Sequence, residues 1–433
     1  MTCPLETMNS EIAPTSPSAI HRWIWRWHGY AGLFIVPFVF FMSLTGLPFV
    51  WQRELEDALH PDSRDLVPQV KRVPYEQQLS AARSVFPDQR LLKVRLDADP
   101  RHATCFTFGK ASDPSTVAVN PYNGKVINVI REWTRLSFAA IRLHGLAFIM
   151  PYGSWLLELL ACWGIVMCLT GMYLWFPTGK GGAIWGVFLP RLWTGGRTRW
   201  RDLHAVTGFY FGGILMLYFA TGLPWTAFWG GKLLASVQQI LGQAAPPNMS
   251  NDAGLTSIPP SPGLPPLPLD AFVQFAHDQR LPGYWEIDLP HNSSGTVHVH
   301  NRVGNSTAET HWQLNLFTAQ PVGVTRWQNV PIVQKVVALG IDTHEGKLFG
   351  RPTQWMSTGL AITFMTLSAA AIRMWWLRRP QGRLDYPKSV PRTNLGSGFT
   401  FALVLLGLVM PLLGLSFVVL SLISHLSKDV DQP

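Results

Sequence analysis

Four histidines occupy matching positions in a duplicated pattern, and their type and spacing suit them for chemistry. His28 opens the stretch HGYAGLFIVPFVFFMSLTGLP, and His204 opens the parallel stretch HAVTGFYFGGILMLYFATGLP. His144 and His344 share a second frame, in which tryptophans follow at equivalent positions. A neutral imidazole is a common metal ligand and can also transfer protons. Because both frames are repeated, we expect the histidines to act as pairs rather than singly.

The segments that carry these histidines are long, apolar and almost free of charge. The chain has 433 residues, of which 47% are hydrophobic and only 14% charged, a composition unlike that of a soluble enzyme. Charge is absent from residues 29–51, 205–231, 352–372 and 399–424, and residues 145–179 contain only Glu158. About 20 apolar residues cross a bilayer core. The sequence therefore predicts five transmembrane helices; helices buried in a soluble core are the alternative, but these are rarely so long.

Basic residues predict the orientation of these helices. Lys and Arg in short flanking loops stay on the cytoplasmic side of a membrane. They cluster before the first span, between the second and third, and after the fourth. We therefore expect a multi-pass protein of a bacterial inner membrane with its N-terminus in the cytoplasm and its main lobes in the periplasm. The net charge of +9 then serves orientation, and nucleic acid is not an expected partner.

Cysteine usage excludes several kinds of site. The four cysteines are Cys3, Cys105, Cys162 and Cys168, and only Cys105 falls in a segment predicted to lie outside the membrane on the periplasmic side. A single external cysteine cannot form a disulfide within the chain. The chain also has no Cys-x-x-Cys-His sequence, which excludes covalently attached haem, and no cysteine-based zinc site.

The fold class predicted from these patterns is an α-helical membrane protein built from a duplicated helix, lobe and helix unit, with one extra helix and two small α+β lobes. Each lobe begins with an amphipathic helix, in residues 74–95 and 267–288, and continues into short strands. A Pro-rich linker covers residues 244–268. The predicted segments are a cytoplasmic N-terminus 1–27, spans 28–51, 144–177, 203–229, 344–377 and 398–424, lobes 52–143 and 230–343, cytoplasmic loops 178–202 and 378–397, and a periplasmic C-terminus 425–433.

These features together resemble the PepSY-associated transmembrane family. The resemblance rests on the VNPYNGKV and LFTAQPVGV hairpins that follow the amphipathic helices, on the His-x3-Gly and Thr-Gly motifs, and on the LHG, GSWLLELL and TGMYLW pattern of the second span. It covers nearly the whole chain. Within the family, the chain looks most similar to ferrioxamine-type siderophore reductases. The resemblance implies PepSY-like lobes and an iron-regulated inner-membrane protein with two haems that delivers electrons to a periplasmic ferric siderophore.

The histidine spacing is compatible with such a cofactor. Seventeen helical residues, the distance from His28 to the first TGLP motif, rise about 25 Å, so His28 and His204 are expected near the inner membrane face. His144 and His344 are expected at the outer face, if Pro and Gly residues break the chain after them. Two opposed imidazoles can ligate a haem iron from both sides. We expect two haem b groups held by these pairs; the alternative is that each histidine caps a helix or bonds a carbonyl.

Other side chains have open assignments. Arg142 and Arg373, with Arg22 or Arg26, are candidate partners of haem propionates, or else interfacial anchors. Glu158 can handle a proton or bond a neighbouring helix.

His298 and His300 share a strand face, with His291 and His311 near them in sequence. A metal site is possible there, although polar packing is the commoner arrangement. The predicted substrate cleft is lined by Trp312, Trp327 and Trp285, with Trp133 and Tyr284; these aromatic residues can equally belong to lobe core.

The function that follows is electron transfer to periplasmic ferric siderophores, which releases iron for uptake. The partners are the bilayer, the ferric siderophore and an unidentified donor, either quinol or a cytoplasmic reductase, because no Gly-x-Gly-x-x-Gly dinucleotide fingerprint occurs. The alternative is a membrane binding or regulatory protein with structural histidines and no redox activity. A permease is disfavoured, since acids for ion coupling are missing from the spans apart from Glu158 and no P-loop occurs.

Overall fold

The computed structural model describes residues 19–110, 112–176, 184–243, 255–379 and 396–430. Parts of the predicted termini, of both cytoplasmic loops and of the Pro-rich linker therefore lie outside the described residues. Backbone contacts divide the chain into two compact units. The first contains residues 1–40, 162–217 and 363–433, and the second contains residues 41–161 and 218–362.

The described residues form helices and one sheet. The helices are α1 (Ala19–Val50), α2 (Gln52–Leu59), α3 (Tyr75–Arg83), α4 (Leu136–His144), α5 (Gly153–Trp175), α6 (Gly196–Gly222), α7 (Leu234–Ile240), α8 (Leu269–Asp278), α9 (Ile332–His344), α10 (Arg351–Trp376), α11 (Ser397–Val409) and α12 (Pro411–Val430). The strands are β1 (Leu91–Leu96), β2 (Thr104–Lys110), β3 (Asp113–Val119), β4 (Val126–Arg131), β5 (Tyr284–Asp288), β6 (Val297–Arg302), β7 (Thr310–Leu314) and β8 (Pro321–Arg326).

Four helices are long and apolar enough to cross a membrane, namely α1, α5, α6 with its short extension to Trp225, and α10. They match four of the five predicted spans. The fifth predicted span, residues 398–424, is not one helix, because α11 ends at Val409 and α12 begins at Pro411. Proline lacks the amide that continues a helix and disfavours helical geometry at the residue before it, here Met410. Gly407 and Gly414 then come so close that a Cβ on Gly407 would lie 3.0 Å from Cα of Gly414.

A short helix stands before each of two spanning helices, and a histidine is its last residue. Helix α4 ends at His144 and α5 begins at Gly153; α9 ends at His344 and α10 begins at Arg351. The predicted interruptions near Pro151 and Gly350 are therefore present. Gly346, two residues after His344, has φ +74°, a left-handed conformation that ends a helix readily when the residue is glycine.

Strands from both predicted lobes form one antiparallel sheet in the second unit. The order is β4-β3-β2-β1-β5-β6-β7-β8, so β1 of the first half pairs directly with β5 of the second. The two small lobes expected from the sequence therefore contribute their strands to a single sheet. Lys93 lies opposite Asp288, and Arg95 lies opposite Glu286, so opposite charges meet across the junction. Joining β1 to β5 also removes two strand edges that would otherwise expose unpaired backbone groups.

One face of the sheet forms the hydrophobic core of this unit. Its alternate residues are fully or almost fully buried and pack against α3 and α8; they include Val94, Phe106, Phe108, Ile287, Val299 and Leu314. The two helices cap one another, since Asp270 accepts hydrogen bonds from the amides of Tyr75 and Glu76 at 3.0 and 2.9 Å, and Glu76 accepts one from the amide of Leu269. Carboxylates at helix N-termini satisfy free amides and complement the helix dipole. The opposite face carries charged and histidine side chains.

Candidate functional site

His28 and His204 form a pair in the first unit, which we call the 28/204 pair. Their ring centres are 6.4 Å apart, and the ring planes meet at 77°. Nδ1 of His28 lies 2.8 Å from the hydroxyl of Thr170 in α5, and Nδ1 of His204 lies 3.1 Å from the carbonyl oxygen of Leu367 in α10. Four helices therefore hold the pair, two that carry the rings and two that orient them.

His144 and His344 form the equivalent 144/344 pair in the second unit. Their ring centres are 6.2 Å apart, and the ring planes meet at 71°. Nδ1 of His144 lies 2.9 Å from the carbonyl oxygen of Met42, and Nδ1 of His344 lies 3.1 Å from that of Tyr218. Burial, and then the neighbouring His144, lower the pKa of His344 to about 4, and burial also lowers the pKa of His144. Both rings are therefore neutral near pH 7.

The hydrogen bonds decide which ring nitrogen is available. A carbonyl oxygen only accepts, so Nδ1 must carry the proton in His144, His204 and His344. The Thr170 hydroxyl donates to the carbonyl of Val166 at 2.7 Å, so it accepts from Nδ1 of His28. In the described part of the chain, every hydrogen bond of the four rings uses Nδ1. Each Nε2 is therefore left with its lone pair, the arrangement typical of metal-ligating histidine.

A Thr-Gly dipeptide borders three of the four histidines. The hydroxyls of Thr45, Thr170 and Thr221 lie 3.4, 2.8 and 3.1 Å from Nδ1 of His144, His28 and His344 respectively. The glycine that follows each threonine faces the same ring. A Cβ added to Gly46, Gly171 or Gly222 would lie 3.2, 3.3 or 3.6 Å from Cε1 of that histidine. In each case the threonine orients the imidazole, and the missing side chain of the glycine leaves room for it.

The donor set fits a bis-histidine haem. Imidazole–metal bonds of about 2 Å on opposite sides of one ion put the two ring centres about 6 Å apart, which agrees with both pairs. Neutral imidazoles with free Nε2 atoms are the ligands such a centre requires. The alternative expectation, that each histidine bonds a carbonyl, also describes three of the rings, but those bonds use Nδ1 and leave Nε2 open. The carbonyls of Met42, Tyr218 and Leu367, and the Thr-Gly glycines, were not anticipated as orienting groups, although the recurring Thr-Gly dipeptide is a visible signal.

The predicted propionate partners lie at the surface of their units. Arg142 and Arg373 are exposed, and neither makes an ion pair with a described acidic residue. The guanidinium of Arg142 instead lies over the ring of Phe138 at 5.9 Å, and that of Arg26 over the ring of Tyr30 at 5.4 Å. These positions leave both the propionate and the membrane-anchor assignments open.

Glu158 is fully buried in α5 and bonds to backbone. Its Oε2 accepts hydrogen bonds from the amides of Phe228 and Trp229, at 2.8 and 3.0 Å, where a π-helical turn begins. Oε1 is buried and has no hydrogen-bond partner. The repeat-equivalent Thr358 accepts a hydrogen bond from Nε1 of Trp51 at 2.9 Å instead. These contacts support the structural role of Glu158 that the sequence left open.

Substitution of Glu158 separates the two roles. Glu158→Gln keeps an acceptor for the two amides, so we expect a small loss of stability and, for the electron transfer proposed below, a rate close to wild type. Glu158→Ala leaves both amides without a partner, and we expect it to cost about 1–3 kcal/mol of unfolding free energy. Thermal unfolding in detergent measures the stability of both variants, and the oxidation rate of the haem proposed below measures electron transfer. A Gln variant that is stable but inactive would instead indicate proton handling.

The three tryptophans predicted to line a cleft are not brought together at one surface. Trp285 and Trp312 are buried in the core of the sheet, where their ring centres are 5.7 Å apart, and little of either is left to contact a ligand. Trp327 is partly exposed, and Lys335 lies over its ring at 5.7 Å. Strands β5 and β7, which carry these two tryptophans, alternate buried and less buried side chains, and this alternation turns the tryptophans toward the helices.

A cavity of about 270 Å³ opens elsewhere in the second unit. Phe138 and Ile141 of α4 line it, together with Tyr284 at the start of β5. The guanidinium of Arg95 lies 4.2 Å from the centre of the Tyr284 ring. Basic side chains outnumber acidic ones in the lining, since it contains Arg53, Arg64, Arg95 and Arg135 but only Glu56 and Glu132. Three of these guanidinium groups are ion-paired: Arg64 with Asp57 and Asp97, Arg95 with Asp97, and Arg135 with Glu56 and Glu132. The cavity therefore has a polar lining and lies close to the helix that ends at His144.

Comparison with known families identifies the chain as a whole. The model of the family described as the PepSY-associated TM region matches residues 25–378. This match contains all four histidines, α1 from residue 25 onward, the other three long helices and every strand of the sheet. No curated protein matches the chain. The chain belongs to the PepSY-associated TM region family.

Proposed function

We propose that this protein is a di-haem reductase of the bacterial inner membrane that passes electrons to ferric siderophores on the periplasmic side. The observation that carries the proposal is the geometry of the two histidine pairs. Both have ring centres just over 6 Å apart, at 6.4 and 6.2 Å, and hydrogen bonds that leave Nε2 of every ring free. The finer resemblance to ferrioxamine-type reductases belongs to the same proposal.

In this proposal, the protein holds and insulates the redox centres. When bound, haem b supplies one-electron transfer. His28 and His204 would hold one centre and His144 and His344 the other, and ligation by two histidines would favour electron transfer over oxygen chemistry. Thr170 and the carbonyls that accept from Nδ1 keep each ring in one tautomer and orientation, so little rearrangement accompanies a change of charge.

The proposed substrate is iron held by a chelator with oxygen donors. Ferric iron is a hard cation, and addition of one electron weakens its hold on such ligands, so iron is released while the chelator stays intact. The cavity beside α4 is the candidate place for the chelate, because its lining combines aromatic side chains with guanidinium groups that hydrogen-bond oxygen donors. The electron comes from quinol or from a separate cytoplasmic reductase.

The first test is an absorption spectrum of the detergent-purified protein, oxidised and then reduced with dithionite, with a pyridine haemochrome assay. About two b-type haems per chain with low-spin bands are expected from two bis-histidine sites. Colourless protein, after expression with ample haem, would overturn the proposal and favour a binding or regulatory role.

The second test concerns the substrate. Reduced protein is mixed anaerobically with ferrioxamine in stopped flow, and reoxidation of the haem bands is followed together with capture of ferrous iron by a chromogenic chelator. We expect both signals to rise at one rate. The iron-free chelator is the control. Reoxidation that is no faster with ferrioxamine than with the control would limit the function to electron transfer to another acceptor.

A further inference from the structure

Three histidines form a compact cluster on the polar face of the sheet, within the second unit. His298 and His300 alternate along β6, and His311 of β7 lies directly opposite His300. One ring nitrogen from each of the three lies within 4.8 Å of the others. Strand alternation and antiparallel register therefore place three imidazoles at one point of a face whose reverse is the hydrophobic core.

The cluster is buried, and its hydrogen bonding is incomplete. The side chains of His298, His300 and His311 are only 5%, 3% and 11% exposed. The Nδ1 atom of each is buried and makes no regular hydrogen bond. A buried polar atom without a partner costs free energy, and one such atom in a native protein calls for an explanation such as an ion. Here three occur side by side.

Carboxylates surround the imidazoles. Oδ2 of Asp288 lies 3.4 Å from Nδ1 of His298 and 3.8 Å from Nδ1 of His300. Oε2 of Glu286 lies 3.1 Å from Nε2 of His300, and Oε2 of Glu309 lies 3.8 Å from Nε2 of His311. Asp288 is therefore the carboxylate nearest to the unpartnered nitrogens, whereas Glu286 and Glu309 contact the opposite nitrogens, as the outer partners of ligating histidines do.

Basic side chains share the carboxylates of the cluster. Lys93 lies 3.2 Å from Glu286 and 3.6 Å from Asp288, and Arg302 lies 3.4 Å from Glu286 and 3.2 Å from Glu309. Arg95 lies opposite Glu286 on the neighbouring strand, so a bound cation would take the place of part of these ion pairs. Imidazole binds a metal in its neutral form.

We propose that His298, His300 and His311, with Asp288 as a fourth ligand, bind one divalent transition-metal ion. Three imidazoles and one carboxylate suit ions of borderline softness such as Zn²⁺, Co²⁺ or Fe²⁺, and do not suit Mg²⁺ or Ca²⁺, which take oxygen ligands. The site lies outside the histidine pairs proposed to hold haem, and it does not depend on that function.

Binding requires one change in the side chains. The three rings are stacked, with planes 11° to 25° apart and centres 4.6 to 5.4 Å apart. A metal lies in the plane of every imidazole that ligates it, so nearly parallel rings cannot share one ion. Rotation about χ2 brings the ring planes to a common point without moving the strands, because this terminal torsion is broad.

The test uses the full-length protein as purified in detergent, stripped of adventitious metal with a chelator and titrated with Zn²⁺ by calorimetry. We expect one high-affinity ion per chain. His298→Ala and His311→Gln are each expected to weaken binding by about 100-fold or more, beyond the loss caused by removing an outer-shell partner. Co²⁺ in place of Zn²⁺ is expected to give the visible absorption of a tetrahedral site in the wild type and not in either variant.

Two controls keep the result interpretable. His291→Ala removes an exposed histidine close in sequence and is expected to leave the affinity unchanged. The haem content of each variant is measured as well, so that failure here is distinguishable from failure of the haem proposal. Near-ultraviolet circular dichroism, to which the buried tryptophans of the sheet contribute, verifies folding.

Two results would overturn the proposal. One is zinc binding that is equally strong in the wild type and in a folded His311→Gln variant, and the other is no zinc binding by the wild type.

Discussion

Alanine at His144 or at His344 is expected to remove about half of the haem from the purified protein, and alanine at both is expected to remove no more. The reason is that each haem iron would need both histidines of its pair to be firmly held. His28→Ala and His204→Ala are expected to show the same behaviour for the other haem. The pyridine haemochrome assay gives haem per chain, and spectra of the reduced variants distinguish the two remaining haems.

Combined variants make this result decisive. His28→Ala with His344→Ala removes one ligand from each pair and is expected to leave almost no haem, whereas His144→Ala with His344→Ala keeps about half. His291→Ala is the control, because this ring is exposed and hydrogen-bonds to Arg90. Equal partial loss from all four single variants would contradict the assignment of the pairs, and unchanged haem in all of them would contradict histidine ligation altogether.

Gly46→Val is expected to remove the haem of the 144/344 pair as completely as loss of His144 itself. A Cβ at this position already lies 3.2 Å from Cε1 and 3.4 Å from Nδ1 of His144, which is closer than ordinary van der Waals contact. The two further carbons of valine push the imidazole away from His344 or from the Met42 carbonyl. Both displacements spoil ligation. Haem content and the spectrum of the remaining haem measure the effect.

Gly359→Val is the matched control for this substitution. Gly359 also lies within a membrane-spanning helix of the second unit, but a Cβ there meets no atom within 4 Å. The two variants carry the same change in helix propensity, so a difference between them isolates the space beside His144. If Gly359→Val loses haem to the same extent, general damage to the helices explains the result, and the proposed role of the glycine is wrong.

Local patterns were sufficient to predict the membrane helices and most strands. Runs of about 20 apolar residues are a direct requirement of the bilayer, so four spans are visible without any tertiary information. Alternation and turn residues likewise placed the strands, such as β3 and β4 on either side of Asn120–Gly124. The same reasoning failed for residues 398–424, where hydropathy is continuous but Met410 and Pro411 interrupt the helix. A proline inside an apolar run is a signal that a helix ends, so Pro411 should have led to a prediction of two helices in place of one.

The internal repeat of the sequence identified the candidate histidines, because two copies of one unit keep equivalent residues at equivalent positions. It indicated four candidate histidines and the hypothesis that 28 pairs with 204 and 144 with 344, and the structure brings these rings together. It did not predict the groups that orient them. The carbonyls of Met42, Tyr218 and Leu367 come from other helices, and every residue has a carbonyl, so no residue type marks them in advance.

The sequence by itself therefore determined the membrane class, the duplicated unit and the four histidines, because hydropathy, periodicity and repetition are local or internal properties of a chain. Only the tertiary structure decided that the strands of both lobes share one sheet, that Trp285 and Trp312 face its core, and that His311 joins His298 and His300. These results depend on register between segments that are distant along the chain. A shift of one residue in that register exchanges the two faces of a strand, and no local pattern specifies which strand will be the neighbour.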